Sequence, residues 1–123
     1  MATTINDVIT EVDELKPNVY DDELKIKWLK DLDLRIYDEI ILSHQNQEIT
    51  IDSDTEYDVN TELIADAPYS ELYKFYLFAQ IDFYNNETER YANSMIMFNQ
   101  KYRDFAAYYN RTHRPLISVL DLF

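Results

Sequence analysis

Glycine and cysteine are both absent from this chain, and proline occurs only three times in 123 residues. Without cysteine there are no disulfides and no thiolate chemistry, which fits a reducing compartment. Without glycine, phosphate-cradling loops, tight strand-to-helix turns and the nucleophile elbow lose their usual form, which disfavours nucleotide-binding and α/β-hydrolase readings. Type I′ and II′ hairpins suffer equally, whereas helices with capped ends tolerate the loss. Long apolar runs are missing at the start as well. Residues 1–12 carry Asp7 and Glu11, so neither a signal peptide nor a membrane span is expected.

Basic residues are scarce too: 11 Lys and Arg stand against 24 Asp and Glu, a net charge of −13. The imbalance is local. Residues 1–66 hold 18 acids and 5 bases, while residues 67–123 hold 6 of each. Aromatics run the other way, with 14 of 18 in residues 67–123. One half is therefore acidic and the other a Tyr/Phe-rich body. Such a surface repels nucleic acid, yet it could line a channel through which DNA passes without sticking. With 46 % apolar residues the chain can bury one core, and a single domain over residues 1–112 is expected.

Periodicity predicts four helices. The first, over about residues 4–15, places Ile5, Val8, Ile9, Val12 and Leu15 on one stripe, with Thr3 or Thr4 as cap. The second, over about 22–44, is capped by Asp21 and repeats Leu24, Trp28, Leu32, Ile36 and Ile40. Its charged residues, Lys25, Lys27, Lys30, Asp31, Asp33, Arg35, Asp38 and Glu39, read as a solvated face. The third, over about 68–85, starts on Pro68 with Asp66 or Ala67 as cap and is apolar on nearly every side, which makes it central or covered by partners. The fourth, over about 87–111, has Asn86 and Glu89 at capping-box spacing. Its seam of Tyr91, Met95, Phe98, Tyr102, Phe105 and Tyr109 is suited to packing on the third helix.

Two stretches fall outside the helices. In the loop over 45–66, acids alternate at Asp52, Asp54, Glu56, Asp58 and Glu62, and an extended chain would put them all on one side. A calcium loop is disfavoured, because Tyr57 and Leu63 occupy the positions that need glycine and glutamate. The loop reads as a solvated segment, or as one that pairs with a neighbouring subunit or faces a lumen. The tail over 113–123 is apolar after Pro115, with Leu116, Ile117, Val119, Leu120, Leu122 and Phe123. It reads either as a last element laid on the domain's own core or as an arm that docks into another protein.

No catalytic set emerges, and none is expected. His44 and His113 lack His or Cys partners at ligand spacing, and adjacent acids such as Asp13 with Glu14 point apart on a helix. Tyr73, Tyr76, Tyr84, Tyr91, Tyr102, Tyr108 and Tyr109 fill a core or cover an interface equally well.

Several stretches together are distinctive: Ile5-Asn6-Asp7-Val8-Ile9, Val12-Asp13-Glu14-Leu15-Lys16-Pro17-Asn18, Trp28-Leu29 and Ile36-Tyr37-Asp38-Glu39-Ile40-Ile41. They continue through Ala67-Pro68-Tyr69-Ser70-Glu71-Leu72-Tyr73, Ala79-Gln80-Ile81-Asp82-Phe83-Tyr84-Asn85, Glu89-Arg90-Tyr91-Ala92-Asn93-Ser94 and Tyr109-Asn110-Arg111-Thr112-His113. On these stretches, which span nearly the whole chain, the sequence resembles the head–tail connector (adaptor, or head-completion) proteins of long-tailed phages and prophages. The resemblance implies an all-α, four-helix connector-like bundle that assembles as a ring of twelve copies beneath the portal. It implies a virion neck location, with the host cytoplasm as the place of assembly. The implied partners are the portal protein, a stopper or tail-completion protein and further copies of the chain. DNA would pass in transit only, and no cofactor, membrane or enzymatic activity is implied. Two other readings compete: an acidic DNA mimic or host-factor inhibitor acting through the 52–62 loop, and a small ligand-binding or catalytic bundle using a Tyr-lined interior.

Overall fold

The computed structural model describes residues 2–44 and 49–113. Among these residues it is all-α, with four helices: α1 (Ile5–Leu15), α2 (Asp22–Glu39), α3 (Glu71–Tyr84) and α4 (Thr88–Thr112). The third helix is the central one, packing on α4, α1 and α2, while α1 also packs on α2. Its nearly all-round apolarity has this cause: Leu72, Tyr73, Leu77, Ala79 and Ile81 are all fully buried. The α4 seam lies against it as the 3-4 spacing predicts, with Phe98, Phe105 and Tyr109 buried.

The helix ends show what a glycine-free chain does instead. At the start of α1, Thr4 and Asp7 form a reciprocal capping box: the Asp7 N–H donates to the Thr4 hydroxyl (3.2 Å) and the Thr4 N–H to the Asp7 carboxylate (3.0 Å). Asp21 caps α2 by accepting from the Leu24 N–H at 3.0 Å. At the end of α3, Asn86 adopts φ 59°, in the left-handed region. The Glu87 N–H then donates to the Asp82 carbonyl (2.9 Å) and the Asn86 N–H to the Phe83 carbonyl (3.1 Å), the paired bonds of a Schellman closure. Asparagine thus takes the place that glycine usually fills.

This overturns the reading of Asn86 and Glu89 as a capping box for α4. The N-cap of α4 is Glu87, and it makes no side-chain cap bond. Asn86→Ala is expected to cost about 1 kcal/mol through the left-handed conformation it must keep, and Asn86→Gly to cost nothing. Thermal melts of the two variants check this.

Three further boundaries differ from expectation. First, α2 stops at Glu39 and is followed by a single 3-10 turn, Ile41–Ser43. In a continued helix the Ile40 carbonyl would accept from the His44 backbone N–H. Here it is taken by the Ser43 hydroxyl (2.7 Å) and by His44 Nδ1 (2.6 Å), while the His44 backbone N–H goes to the Ile41 carbonyl. Second, α3 starts at Glu71 rather than Pro68, with Ser70 as N-cap in place of Asp66 or Ala67. The Tyr69 N–H closes a turn on the Asp66 carbonyl (2.8 Å), and the Ala67–Pro68 peptide within it is cis. Third, Leu15, the last residue of α1, is 61 % exposed and does not share the burial of its stripe.

Two residues assigned to the solvated face of α2 are buried. Lys25 is 2 % exposed, and its ammonium reaches Asp13 of α1 at 2.7 Å. Asp33 is fully buried. Among the described residues, no buried side-chain nitrogen or oxygen lacks a hydrogen-bond partner.

Candidate docking surfaces

The acidic loop is built from a six-residue repeat, Asp52-Ser53-Asp54-Thr55-Glu56-Tyr57 followed by Asp58-Val59-Asn60-Thr61-Glu62-Leu63. Both copies fold alike. The first Asp carboxylate accepts from the N–H two residues on, at 2.9 Å in one copy and 2.8 Å in the other. The Thr hydroxyl accepts from that Asp's own N–H, at 3.0 and 2.8 Å. Each unit is therefore a turn, not the uniformly extended chain that the alternation suggested. Asp52, Asp54, Glu56, Asp58 and Glu62 are all exposed. The last residue of each repeat points inward, with Tyr57 half-buried and Leu63 buried.

The second repeat is bonded to the start of its own chain. Ile5 and Asn6 N–H groups donate to the Thr61 and Val59 carbonyls (3.0 and 2.9 Å), and the Leu63 N–H donates to the Thr3 carbonyl (2.8 Å). These bonds satisfy donors of the first turn of α1 that have no partner within the helix. An isolated antiparallel bridge joins Thr4 and Glu62. The backbone of 59–63 is thus engaged internally, and what the loop presents outward is its carboxylates.

The loop is anchored by Asp33. Its Oδ1 accepts from the Tyr73 hydroxyl (2.6 Å), and its Oδ2 accepts from the Tyr57 hydroxyl (2.8 Å) and the Ile64 N–H (3.3 Å). The Tyr73 oxygen in turn accepts from the Ala65 N–H at 2.8 Å. Burial pushes the Asp33 carboxyl up to about 6, against the opposing pull of its three donors. The same burial and the neighbouring carboxylate drive the Tyr57 and Tyr73 hydroxyls well above their usual range. Sequence reading missed this hub because Asp33 sits among true surface charges. The signal lay in the six-residue repeat, whose inward Tyr57 needs a buried acceptor.

The opposite end of the bundle carries exposed apolar side chains beside the exposed acids Asp21, Asp22 and Glu23. The α1–α2 connection meets the α3–α4 connection through a hydrogen bond from the Tyr20 hydroxyl to Asn85 (2.7 Å). Trp28 stacks on Tyr84 at 5.7 Å and Tyr20 packs edge-on to Trp28 at 5.9 Å. Around them Leu15, Val19, Phe83 and Tyr84 are exposed, Val19 at 93 %. Of the tyrosines in question, Tyr73 and Tyr109 belong to the core, Tyr76, Tyr91, Tyr102 and Tyr108 are partly buried, and Tyr84 is surface.

A groove of about 440 Å³ lies at the loop end, beside the last turns of α4, with Ile49, Ile64, Tyr69, Phe105, Tyr108 and His113 on its walls. His44 is buried behind it, with Nε2 2.8 Å from Asn110 Oδ1 and its ring edge-on to Tyr109 at 4.7 Å. The tail residues Pro115, Leu116, Ile117, Val119, Leu120, Leu122 and Phe123 lie outside the described residues. Among the described residues, no cluster of His, Asp and Glu is arranged to hold a metal ion, and no helix is long and apolar enough to cross a membrane. Comparison with protein-family models, with curated proteins and with solved structures returns no match for this chain.

Proposed function

We propose that this chain is a head–tail connector subunit, assembling with further copies of itself as a ring beneath a phage portal. The ring extends the DNA channel and offers the surface on which a stopper or tail-completion protein docks. The observation that carries the reading is the two-ended surface. Turn-held carboxylates from Asp52 to Glu62 stand at one end, and an uncovered aromatic patch around Tyr84 and Phe83 stands at the other. A carboxylate array repels passing DNA, which suits a lumen, while exposed aromatic area suits a protein contact. The resemblance to connectors read from the sequence, over stretches from α1 to α4, points to the same reading.

Sedimentation of the full chain, alone and with the portal protein encoded in the same genome, tests it. The free chain is expected to run as a monomer or weak oligomer and to co-sediment with portal. Failure to associate with portal removes the connector reading. The acidic DNA-mimic reading draws on the same fixed carboxylates. It requires salt-sensitive binding to a basic DNA-binding protein, and titration against such a protein separates the two.

A further inference from the structure

We propose that residues 116–123, Leu-Ile-Ser-Val-Leu-Asp-Leu-Phe, seat in the groove between the 64–69 segment and the last turns of α4 of the same chain. The groove is walled by Ile64, Phe105 and the stacked rings of Tyr69 and Tyr108, whose centroids lie 4.4 Å apart. His113 lines it too, and His113 is where the described part of α4's exit ends, so the following chain starts at the groove's mouth.

Length selects the occupant. Ten residues, 114–123, reach at most about 33–36 Å when extended, which covers the groove with chain to spare. The aromatic patch at the other end lies beyond the full length of α4, 25 residues and therefore about 37 Å. The segment can cover the groove of its own chain but not that patch. Its chemistry fits: six of its eight residues are apolar, matching aromatic and aliphatic walls. Charge also matches: the segment leading to it starts with the cationic Arg114, and the groove rim holds the exposed Asp66.

The consequence rests on the connector reading: a seated segment is withheld from the portal, so the free subunit stays unassembled until portal competes for it.

The absence of native cysteine makes the test direct. Ala67→Cys, at the exposed groove edge, is combined in turn with Leu116→Cys, Ser118→Cys, Leu120→Cys or Leu122→Cys in the full chain. Val19→Cys, at the far end, replaces Ala67→Cys as the control. Each reduced variant is first checked for the wild-type circular dichroism spectrum, then oxidised at low protein concentration. The expected result is an intrachain disulfide in at least one Ala67 pairing, at about tenfold or more the yield of its Val19 counterpart, because seating raises the local thiol concentration. Interchain dimers alone, or equal yields with Val19, overturn the proposal. The trapped variant is then sedimented with portal, oxidised and reduced. Loss of binding on oxidation and its return on reduction support seating as a restraint on docking. Binding in both states overturns that restraint. If the disulfide forms and neither state binds portal, the seat stands and the connector reading falls.

Discussion

Asp33→Leu is expected to destabilise the fold by about 3 kcal/mol, because it takes the acceptor from three donors at once, one of them fully buried. The Tyr57 hydroxyl, the Tyr73 hydroxyl and the Ile64 N–H all lose their acceptor, and the Tyr73 hydroxyl is fully buried. A small domain holds only about 5–15 kcal/mol in total, so the loss should appear as a large fall in urea midpoint. Asp33→Asn keeps the shape and one acceptor oxygen, and should cost much less. The pair also carries a pH signature. The Asp33 carboxyl sits at about 6 in the folded chain against 3.8 in the unfolded one, so the folded state binds the proton more tightly. Its contribution to stability is therefore fully present below about pH 4 and is lost as pH rises through 6. Asparagine does not titrate. The stability of wild type relative to Asp33→Asn should therefore fall between pH 4 and pH 7 by an amount on the order of 2 kcal/mol, far enough to cancel or reverse a small initial advantage. A gap that is constant across that window would contradict the buried, proton-holding carboxyl.

Lys16→Met is the second large effect. Asp82 is fully buried on α3, its Oδ1 paired with the Lys16 ammonium and its Oδ2 accepting from the Ser94 hydroxyl at 3.0 Å. That arrangement ties the chain after α1 to α3 and α4. Removing the ammonium leaves a buried carboxylate with one hydroxyl for company, at a cost of about 3 kcal/mol. This is the low end of the range for a broken buried pair, since the Lys16 side chain is 22 % exposed and partly screened. The double variant Lys16→Met/Asp82→Asn removes both charges and should recover most of the loss. Additive losses in the double variant would show that Lys16 acts through its ammonium over the Phe78 ring, 5.1 Å from the ring centre, and not through Asp82.

The helices were legible because apolar spacing is a local signal. Stripes such as Ile5-Val8-Ile9-Val12 and Trp28-Leu32-Ile36-Ile40 are buried as their period requires. The misread boundaries each have a local cause that apolar spacing does not report. Ser43 and His44 claim the Ile40 carbonyl and stop α2. Asn86 does a glycine's work in a chain that has none, so it closes α3 instead of opening α4. Asp33 and Lys25 were hidden because a charge on a helix looks solvated until its partner, distant in sequence, is known. For Asp33 those partners are Tyr57 and Tyr73, and for Lys25 it is Asp13. The five loop acids stand exposed as the alternation suggested, but on two successive turns rather than one straight edge.

The connector account is tested most directly by imaging any phage particles produced from the genome that encodes this chain. The account predicts a closed ring of this chain between portal and tail, with the 52–62 loops on the DNA channel or on the seam between neighbouring subunits. Complete particles that lack the chain would contradict it.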